Sequence, residues 1–363
     1  MLGLDADGLG KLAARLVKER DHGRYHEAVA LVFDRWAELD PLAALALAKT
    51  LTPPHRAQAV EAALDGFAER RPADACAYLE AAADQGQDGL REALSPAWRS
   101  QRLTAAVNKW AKQDPVAAAA FYDRAGAGVQ AYVTRDIAEA WTGQDPTAAM
   151  RWAAGLPEKS RQAALAGGLQ AWAQKDPAAA LQYYNAVTDP KVQQTLAYSL
   201  ASGWVDADPR AAAQWVVGLE SRERDTQPVR TVLVSWTMND PAAATTWATG
   251  LASEPERTAA WPPIVQEMAL ADPAGAERWL ATLPAGAARD AAAYTYCVTG
   301  GGAPFAARLD WAGRIGDAAS RETATVKVLT EWLAGQPQAA RQWINQANLP
   351  PAILAQINKP PSP

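Results

Sequence analysis

Several residue types are scarce in this 363-residue chain, which has two cysteines, three histidines and four phenylalanines. Cys76 and Cys297 are far apart and belong to no CxxC pair, so we expect two buried, reduced thiols rather than a metal site. Segments rich in Val, Ile and Thr are few, which argues against a large sheet. No apolar run approaches the roughly 18–20 residues of a membrane span. We therefore expect neither a sheet protein nor a membrane-spanning one.

An excess of positive charge is also missing. The formal net charge is −5, which argues against a nucleic-acid partner, because such partners require a basic surface. The N-terminal residues show no signal-peptide pattern. The expected location is therefore cytoplasmic by default, or periplasmic if a signal peptide has been removed.

Alanine and tryptophan are abundant. Alanine dominates the apolar residues, and the chain has 15 tryptophans. Alanine has the best intrinsic helix propensity, so the composition favours an all-α fold.

Ten prolines recur along the chain with a period of 31–33 residues, apart from one gap of 43. This period is in the range of helical-hairpin repeats. Asp precedes seven of these prolines and Ala stands three residues after all ten. Asp is a good N-cap, and proline fits the first helical position. The invariant Ala indicates a helix crossing that excludes larger side chains. The ten prolines are Pro41, Pro72, Pro115, Pro146, Pro177, Pro209, Pro241, Pro273, Pro304 and Pro337.

Aromatic residues occupy two further positions in most copies, five residues before the proline and six after it. Each copy is expected to form a first helix of about 12–14 residues, such as 161–174, and a second of about 10–12, such as 177–187. The predicted arrangement is a ladder of buried rings stacked copy on copy. The ninth copy departs from the pattern, with Thr299 before the proline and an aromatic slipped one place to Trp311.

The string D-P-x-A-A-x-x-W resembles the junction between tetratricopeptide repeats and is also similar to the Sel1-like variant. The resemblance covers residues 24–349. It implies a right-handed α-solenoid of about ten helix-turn-helix repeats that binds proteins or peptides in a groove. Residues 1–23 are then a capping helix, and residues 350–363 are a C-terminal cap with a proline-rich tail. The array is interrupted by an insertion near 84–97 and a degenerate repeat near 289–316.

Catalytic and cofactor patterns are weak. The stretch GAGVQA, residues 126–131, matches a dinucleotide fingerprint but joins two predicted helices rather than a strand and a helix. His22 and His26 have helical metal-ligand spacing but no obvious third ligand. We expect no cofactor, no metal and no catalytic set.

The candidate partner-binding residues fall into two groups. Five arginines stand sixteen residues before a proline, where they either grip an acidic peptide or a C-terminal carboxylate, or stack on tryptophans and pair with cap aspartates. Three aromatics lie outside the repeat register. The arginines are Arg56, Arg99, Arg161, Arg257 and Arg321, and the aromatics are Trp98, Tyr132 and Trp261.

The sequence therefore favours a non-catalytic scaffold whose concave surface takes a protein or peptide. Two alternatives stay open. One is a carbohydrate-binding or carbohydrate-processing helical protein, and the other is a structural spacer in a larger assembly.

Burial of the aromatic ladder gives a first prediction. Trp172→Ala is expected to lower the free energy of unfolding by about 3–5 kcal/mol, as for other large core aromatics. Urea denaturation measures this change, and an unchanged midpoint would show that the indole is not buried.

Overall fold

The computed structural model describes residues 3–17, 25–84, 96–220 and 227–357, and all regular secondary structure in these ranges is α-helical. The prediction of an all-α protein is confirmed. The chain divides into two compact units, Met1–Trp172 and Ala173–Pro363.

The first unit contains helices α1 to α9 and most of α10. They are α1 (Ala6–Leu16), α2 (Tyr25–Leu39), α3 (Pro41–Lys49), α4 (Pro53–Arg70), α5 (Pro72–Asp84), α6 (Pro96–Gln113), α7 (Pro115–Tyr122), α8 (Gly126–Thr142), α9 (Pro146–Gly155) and α10 (Glu158–Lys175).

The second unit contains helices α11 to α22. They are α11 (Pro177–Ala186), α12 (Pro190–Ala207), α13 (Pro209–Glu220), α14 (Gln227–Asn239), α15 (Pro241–Thr249), α16 (Glu254–Ala271), α17 (Pro273–Thr282), α18 (Ala287–Thr299), α19 (Phe305–Gly313), α20 (Ala318–Gly335), α21 (Pro337–Gln346) and α22 (Pro351–Ile357).

Longer and shorter helices alternate from α2 to α21. We call a longer helix and the shorter one that follows it a helix pair. In the second unit the short helices α13, α15, α17 and α19 pack between the long helix of their own pair and the next long one, as α13 does between α12 and α14. Consecutive long helices also contact each other. Helices α14 and α18 have the predicted length, with 13 residues each, and the other long helices exceed it. Helix α10, for example, begins at Glu158 rather than Arg161, because no helix breaker follows Pro157.

The predicted Asp caps form in all seven places. The backbone N–H of six of these Asp residues also donates to the carbonyl four residues earlier, which belongs to a tryptophan in five of them and to Met268 in the sixth, as Asp240 does to Trp236 at 2.8 Å. One residue therefore ends the long helix and starts the short one. The side-chain bonds run to Asp40 (3.1 Å), Asp114 (3.0 Å), Asp145 (2.9 Å), Asp176 (3.0 Å), Asp208 (3.0 Å), Asp240 (2.9 Å) and Asp272 (2.9 Å), each from the N–H three residues on.

The alanine three residues after the proline is completely buried in nine helix pairs, at 0% exposure. A larger side chain there would meet the neighbouring helices, so the invariant methyl group has the steric cause that the sequence predicts. The nine are Ala44, Ala75, Ala118, Ala149, Ala180, Ala212, Ala244, Ala276 and Ala340.

The two aromatic positions of a pair contact each other across the turn. In six pairs the ring of the long helix lies 5.4–6.2 Å from the ring of the short helix. The rings are tilted or edge-on, which is the arrangement that aromatic quadrupoles favour. These pairs are Phe67–Tyr78, Trp110–Phe121, Trp141–Trp152, Trp204–Trp215, Trp236–Trp247 and Trp332–Trp343.

The sequence predicts a ladder of rings that stack from one copy to the next. In the structure most of the ring contacts lie within a helix pair instead. Two ring contacts from one pair to the next come from a tyrosine beside the register position, and a third joins Phe305 to Trp332. The ring of Tyr122 meets Trp152 edge-on at 5.7 Å, and Tyr184 meets Trp215 at 5.4 Å. The indole of Trp172 is half-buried.

The ninth helix pair corrects one part of the sequence alignment. Its N–H at Gly300 donates to the carbonyl of Tyr296 at 3.0 Å, the bond made elsewhere between the cap Asp and the aromatic. Tyr296, which is completely buried, therefore occupies the aromatic position at which alignment on the proline places Thr299. Extra residues up to Pro304 separate α18 from α19, so alignment on the proline misplaces the long helix.

Counting from the first residue of α19, an arginine stands where the other pairs have the buried alanine. Arg308 is 0% exposed. Its guanidinium forms a bidentate ion pair with Glu331, at 3.1 and 2.7 Å, and donates from Nε to the carbonyl of Cys297 at 2.7 Å. The ring of Phe305 packs on it. The longer connection makes room for this side chain, and its partners offset the loss of hydration.

The prediction of two buried thiols is confirmed for Cys76 and Cys297. Burial raises the pKa of each thiol to about 12. Both cysteines are therefore protonated and unreactive near neutral pH.

The ion pair predicts a pH dependence of stability. The hydrogen bond from Arg308 lowers the pKa of Glu331 below its ordinary value of 4.5, against a smaller opposing effect of burial. A lowered folded-state pKa adds stability that is complete above the unfolded-state pKa and disappears as the pH falls through the folded-state value. The stability difference between wild type and Glu331→Gln should therefore be largest at neutral pH and shrink below about pH 4.5. Urea unfolding of both proteins across this range measures it. A difference that stays constant with pH would contradict the role of the pair.

Candidate functional site

Four of the five predicted arginines bind backbone at the end of the preceding short helix. The carbonyl that each guanidinium reaches stands one or two residues after that helix ends, where helical donors are missing. The bonds are Arg56 to Leu51 (2.9 Å), Arg161 to Leu156 (3.0 Å), Arg257 to Leu251 (3.3 Å) and Arg321 to Ile315 (2.6 Å).

These backbone bonds belong to neither of the two roles considered for the row of five arginines, although Arg257 also stacks on a tryptophan. The guanidinium groups act as C-terminal caps, which also suits the negative end of the helix dipole. Arg257 in addition pairs with Glu254 at 2.7 Å and lies over the ring of Trp261. Arg99 is half-buried. Most of the row is therefore held by the fold itself.

The three aromatics outside the register are not equivalent. Trp261 is 1% exposed and its indole donates to the carbonyl of Ala248 at 2.9 Å. Its proposed role as a partner-binding residue is wrong, because the ring presents no surface to a partner. Trp98 is half-buried with the guanidinium of Arg102 over its ring. Tyr132 is 72% exposed on α8.

A surface pocket lies between two short helices of the second unit, and we call it the α13–α15 groove. It has a volume of about 580 Å³. Trp236 and Trp247 form its apolar floor, with ring centroids 5.4 Å apart. Arg210 and Gln214 line one wall from α13, and residues of the first turns of α15 line the other. The volume lies within the range of about 300–1,000 Å³ that is typical of ligand pockets.

Of the described tyrosines, none covers the indole of Trp247 in this groove. Where Tyr122 and Tyr184 cover the tryptophan of the next pair, α13 carries Val216, which is buried in the core. Trp247 is half-buried. Six other pairs also carry Ala, Leu or Ile at the position of Val216, so sequence analysis missed this site because no residue type at a fixed offset marks it.

The rim of the α13–α15 groove carries both charge signs. Arg210 is exposed and, among the residues that the structure describes, no acceptor bonds to it. The carboxylate of Asp240 accepts the N–H of Ala243 as a helix cap. The hydroxyl of Thr246 donates to the carbonyl of Ala242 at 2.7 Å and keeps its capacity to accept. The groove therefore offers one available cation and several neutral hydrogen-bonding groups above an aromatic floor.

Other predicted features fall partly outside the described residues. His22 and most of the 84–97 insertion lie there, as does the side chain of His26. Within the described ranges, no group of three or more His, Cys, Asp or Glu side chains is arranged to hold a metal ion. Of the helices in those same ranges, none has the length and apolar character to cross a membrane. The GAGVQA stretch opens helix α8, where Gly126 has a φ of 71°.

The arginine caps predict a stability effect that is independent of any partner. Arg161→Ala should lower the free energy of unfolding by about 1–3 kcal/mol, because the carbonyl of buried Leu156 loses its charged donor. Arg151→Ala, on the exposed face of α9, is the matched control and should change stability by less than about 0.5 kcal/mol. Urea denaturation compares the two, and equal effects would argue against the cap.

Comparisons of the chain with protein-family models, with curated proteins and with solved structures find no match. The resemblance to tetratricopeptide and Sel1-like repeats therefore stays a prediction that rests on the D-P-x-A-A-x-x-W pattern.

Proposed function

We propose that this protein is a peptide-binding scaffold and that the α13–α15 groove is its binding site. The observation that carries the proposal is the combination of a tryptophan floor with an available guanidinium at Arg210. Aromatic side chains and arginines dominate the energetics of protein recognition surfaces.

The expected ligand is an extended segment with an apolar side chain next to an acidic one. The apolar side chain covers Trp247, where it removes a half-exposed ring from water. The acidic side chain meets Arg210, whose planar fork favours carboxylates. Gln214 and Thr246 stand on opposite walls and supply hydrogen bonds for the main chain.

We also infer that the helix pairs form a right-handed α-solenoid of about ten repeats, related to the tetratricopeptide and Sel1-like class. Three features support this inference: the alternation of long and short helices, the single-residue Asp junctions and the buried alanines. In such an array a groove between two adjacent repeats is a natural place for a partner segment.

An array of immobilised peptides with both ends blocked tests the binding proposal. Wild-type protein should select peptides in which an acidic residue adjoins an aromatic or aliphatic one. For the selected peptides, Arg210→Glu should weaken binding at least about tenfold, since a lost charge-assisted hydrogen bond contributes about 1.5–3 kcal/mol. Calorimetry with soluble peptides measures the affinities.

Arg341→Glu is the matched control, because Arg341 is exposed on the short helix α21, lies outside the groove and has no acceptor among the described residues. It makes the same change of charge and should leave affinity within about twofold. If no peptide is selected, or if both arginine variants weaken binding equally, the groove is not the site.

A further inference from the structure

A second site arises from two consecutive prolines inside a helix. Pro262 and Pro263 lie in the middle of α16. Neither has an N–H, so the carbonyls of Thr258 and Ala259 lose the donors that an α-helix supplies from four residues ahead. The pyrrolidine rings also push these two carbonyls away from the helix axis. Two adjacent acceptors are thus left to find other donors.

The residues that carry these acceptors line a pocket. It has a volume of about 240 Å³ and lies across α14, α16 and α18. Thr258, Ala259, Pro262 and Pro263 all contribute to its wall. The two prolines and the two residues whose carbonyls lose their helical donors therefore share the face of α16 that lines this pocket.

Charge in this pocket comes from one side chain. Arg230 of α14 is exposed and is the only charged residue among those described as lining it. Within the described part of the chain, no acceptor is bonded to its guanidinium. Gln266, one turn beyond the prolines, adds an amide that can donate and accept. The pocket therefore pairs hydrogen-bond acceptors with one available cation.

The spacing of the acceptors distinguishes between ligand classes. Carbonyls of consecutive helical residues differ by a rise of about 1.5 Å along the axis and a rotation of about 100° around it, which places their oxygens roughly 3.5 Å apart. The N–H groups on one edge of an extended peptide recur every second residue, at about 3.3 Å per residue. A peptide main chain therefore satisfies at most one of the two carbonyls. Hydroxyl groups on adjacent carbon atoms are close enough to donate to both.

We propose that this pocket binds a polyhydroxy carboxylate, a uronic acid or the acidic unit of a polysaccharide. Two adjacent hydroxyls donate to the carbonyls of Thr258 and Ala259, and the carboxylate pairs with Arg230. The proline rings provide an apolar wall for the carbon face of the sugar. This site uses none of the residues of the α13–α15 groove, so its existence does not depend on peptide binding.

Saturation-transfer NMR with three small probes tests the chemistry. Methyl glucuronoside carries both the hydroxyls and the carboxylate, methyl glucoside only the hydroxyls, and succinate only carboxylates. The full-length protein should bind the glucuronoside at least tenfold more tightly than either of the others. Equal binding of the two sugars, or no binding of the glucuronoside, overturns the proposal.

Two variants locate the site. Pro262→Ala/Pro263→Ala restores both N–H donors and should abolish binding of the glucuronoside. Its helical circular dichroism and unfolding midpoint should be at least those of wild type, because the helix regains two hydrogen bonds. Arg230→Gln should reduce affinity for the glucuronoside to that for the glucoside. Wild-type binding in either variant would overturn the proposal.

The controls are chosen for chemical similarity. Pro255→Ala changes a proline in the first turn of the same helix, where no intrahelical bond is missing, and Arg341→Gln removes an exposed arginine of α21 that has no acceptor among the described residues. Both should bind like wild type, and a loss of binding in either would overturn the assignment to this pocket. A uronate tetramer that binds more tightly than the monosaccharide identifies a polysaccharide as the source, whereas equal affinities identify the free sugar acid, and both results support the site.

Discussion

The contact on which most of this fold depends is the crossing of a long helix over the short helix that follows it. A buried alanine lets the two backbones approach, and a tilted aromatic pair fills the space beside it, as Ala244 does with Trp236 and Trp247. The cap Asp holds the two helices at this angle, because it bonds forward to the short helix and back to the long one. The alanine, the ring pair or the cap alone would allow several crossing angles, but together they fix the angle between the two helices.

Departures from this crossing are more informative than its repetition. In the ninth pair the connection is longer, Arg308 replaces the alanine, and a bidentate ion pair replaces close backbone contact. In α13, Val216 stands where two other pairs have a tyrosine that contacts the next tryptophan, and Trp247 lines the α13–α15 groove. In α16 two prolines interrupt the hydrogen bonds of a long helix. Each change departs from the regular packing of the helix pairs. Such local departures are expected at functional sites.

Sequence spacing predicted the parts of the structure that depend on local chemistry. N-caps, proline at the first helical position and the methyl-sized crossing all follow from residue type at a fixed offset, and Asp240 and Ala244 behave as expected. Spacing could not place Tyr296, because an insertion between α18 and α19 moves the proline relative to the long helix. It also misjudged Trp261, since departure from a register says nothing about burial. No residue type at a fixed offset marks the α13–α15 groove, which lies between two helix pairs.

The arginine row shows why a recurrent residue is a poor guide to a binding site in such a chain. A residue that recurs at the same position of successive helix pairs has the same neighbouring helices each time. Its commonest partner is therefore a group of those helices rather than a ligand. Arg161 and Arg321 accordingly donate to carbonyls at the end of the preceding short helix. Arg210 and Arg230 do not belong to that row, and neither has an acceptor within the described residues. We expect a ligand where a charged side chain has no partner and the regular packing of the helix pairs is interrupted. In the second unit both conditions hold beside Trp247 and beside Pro262.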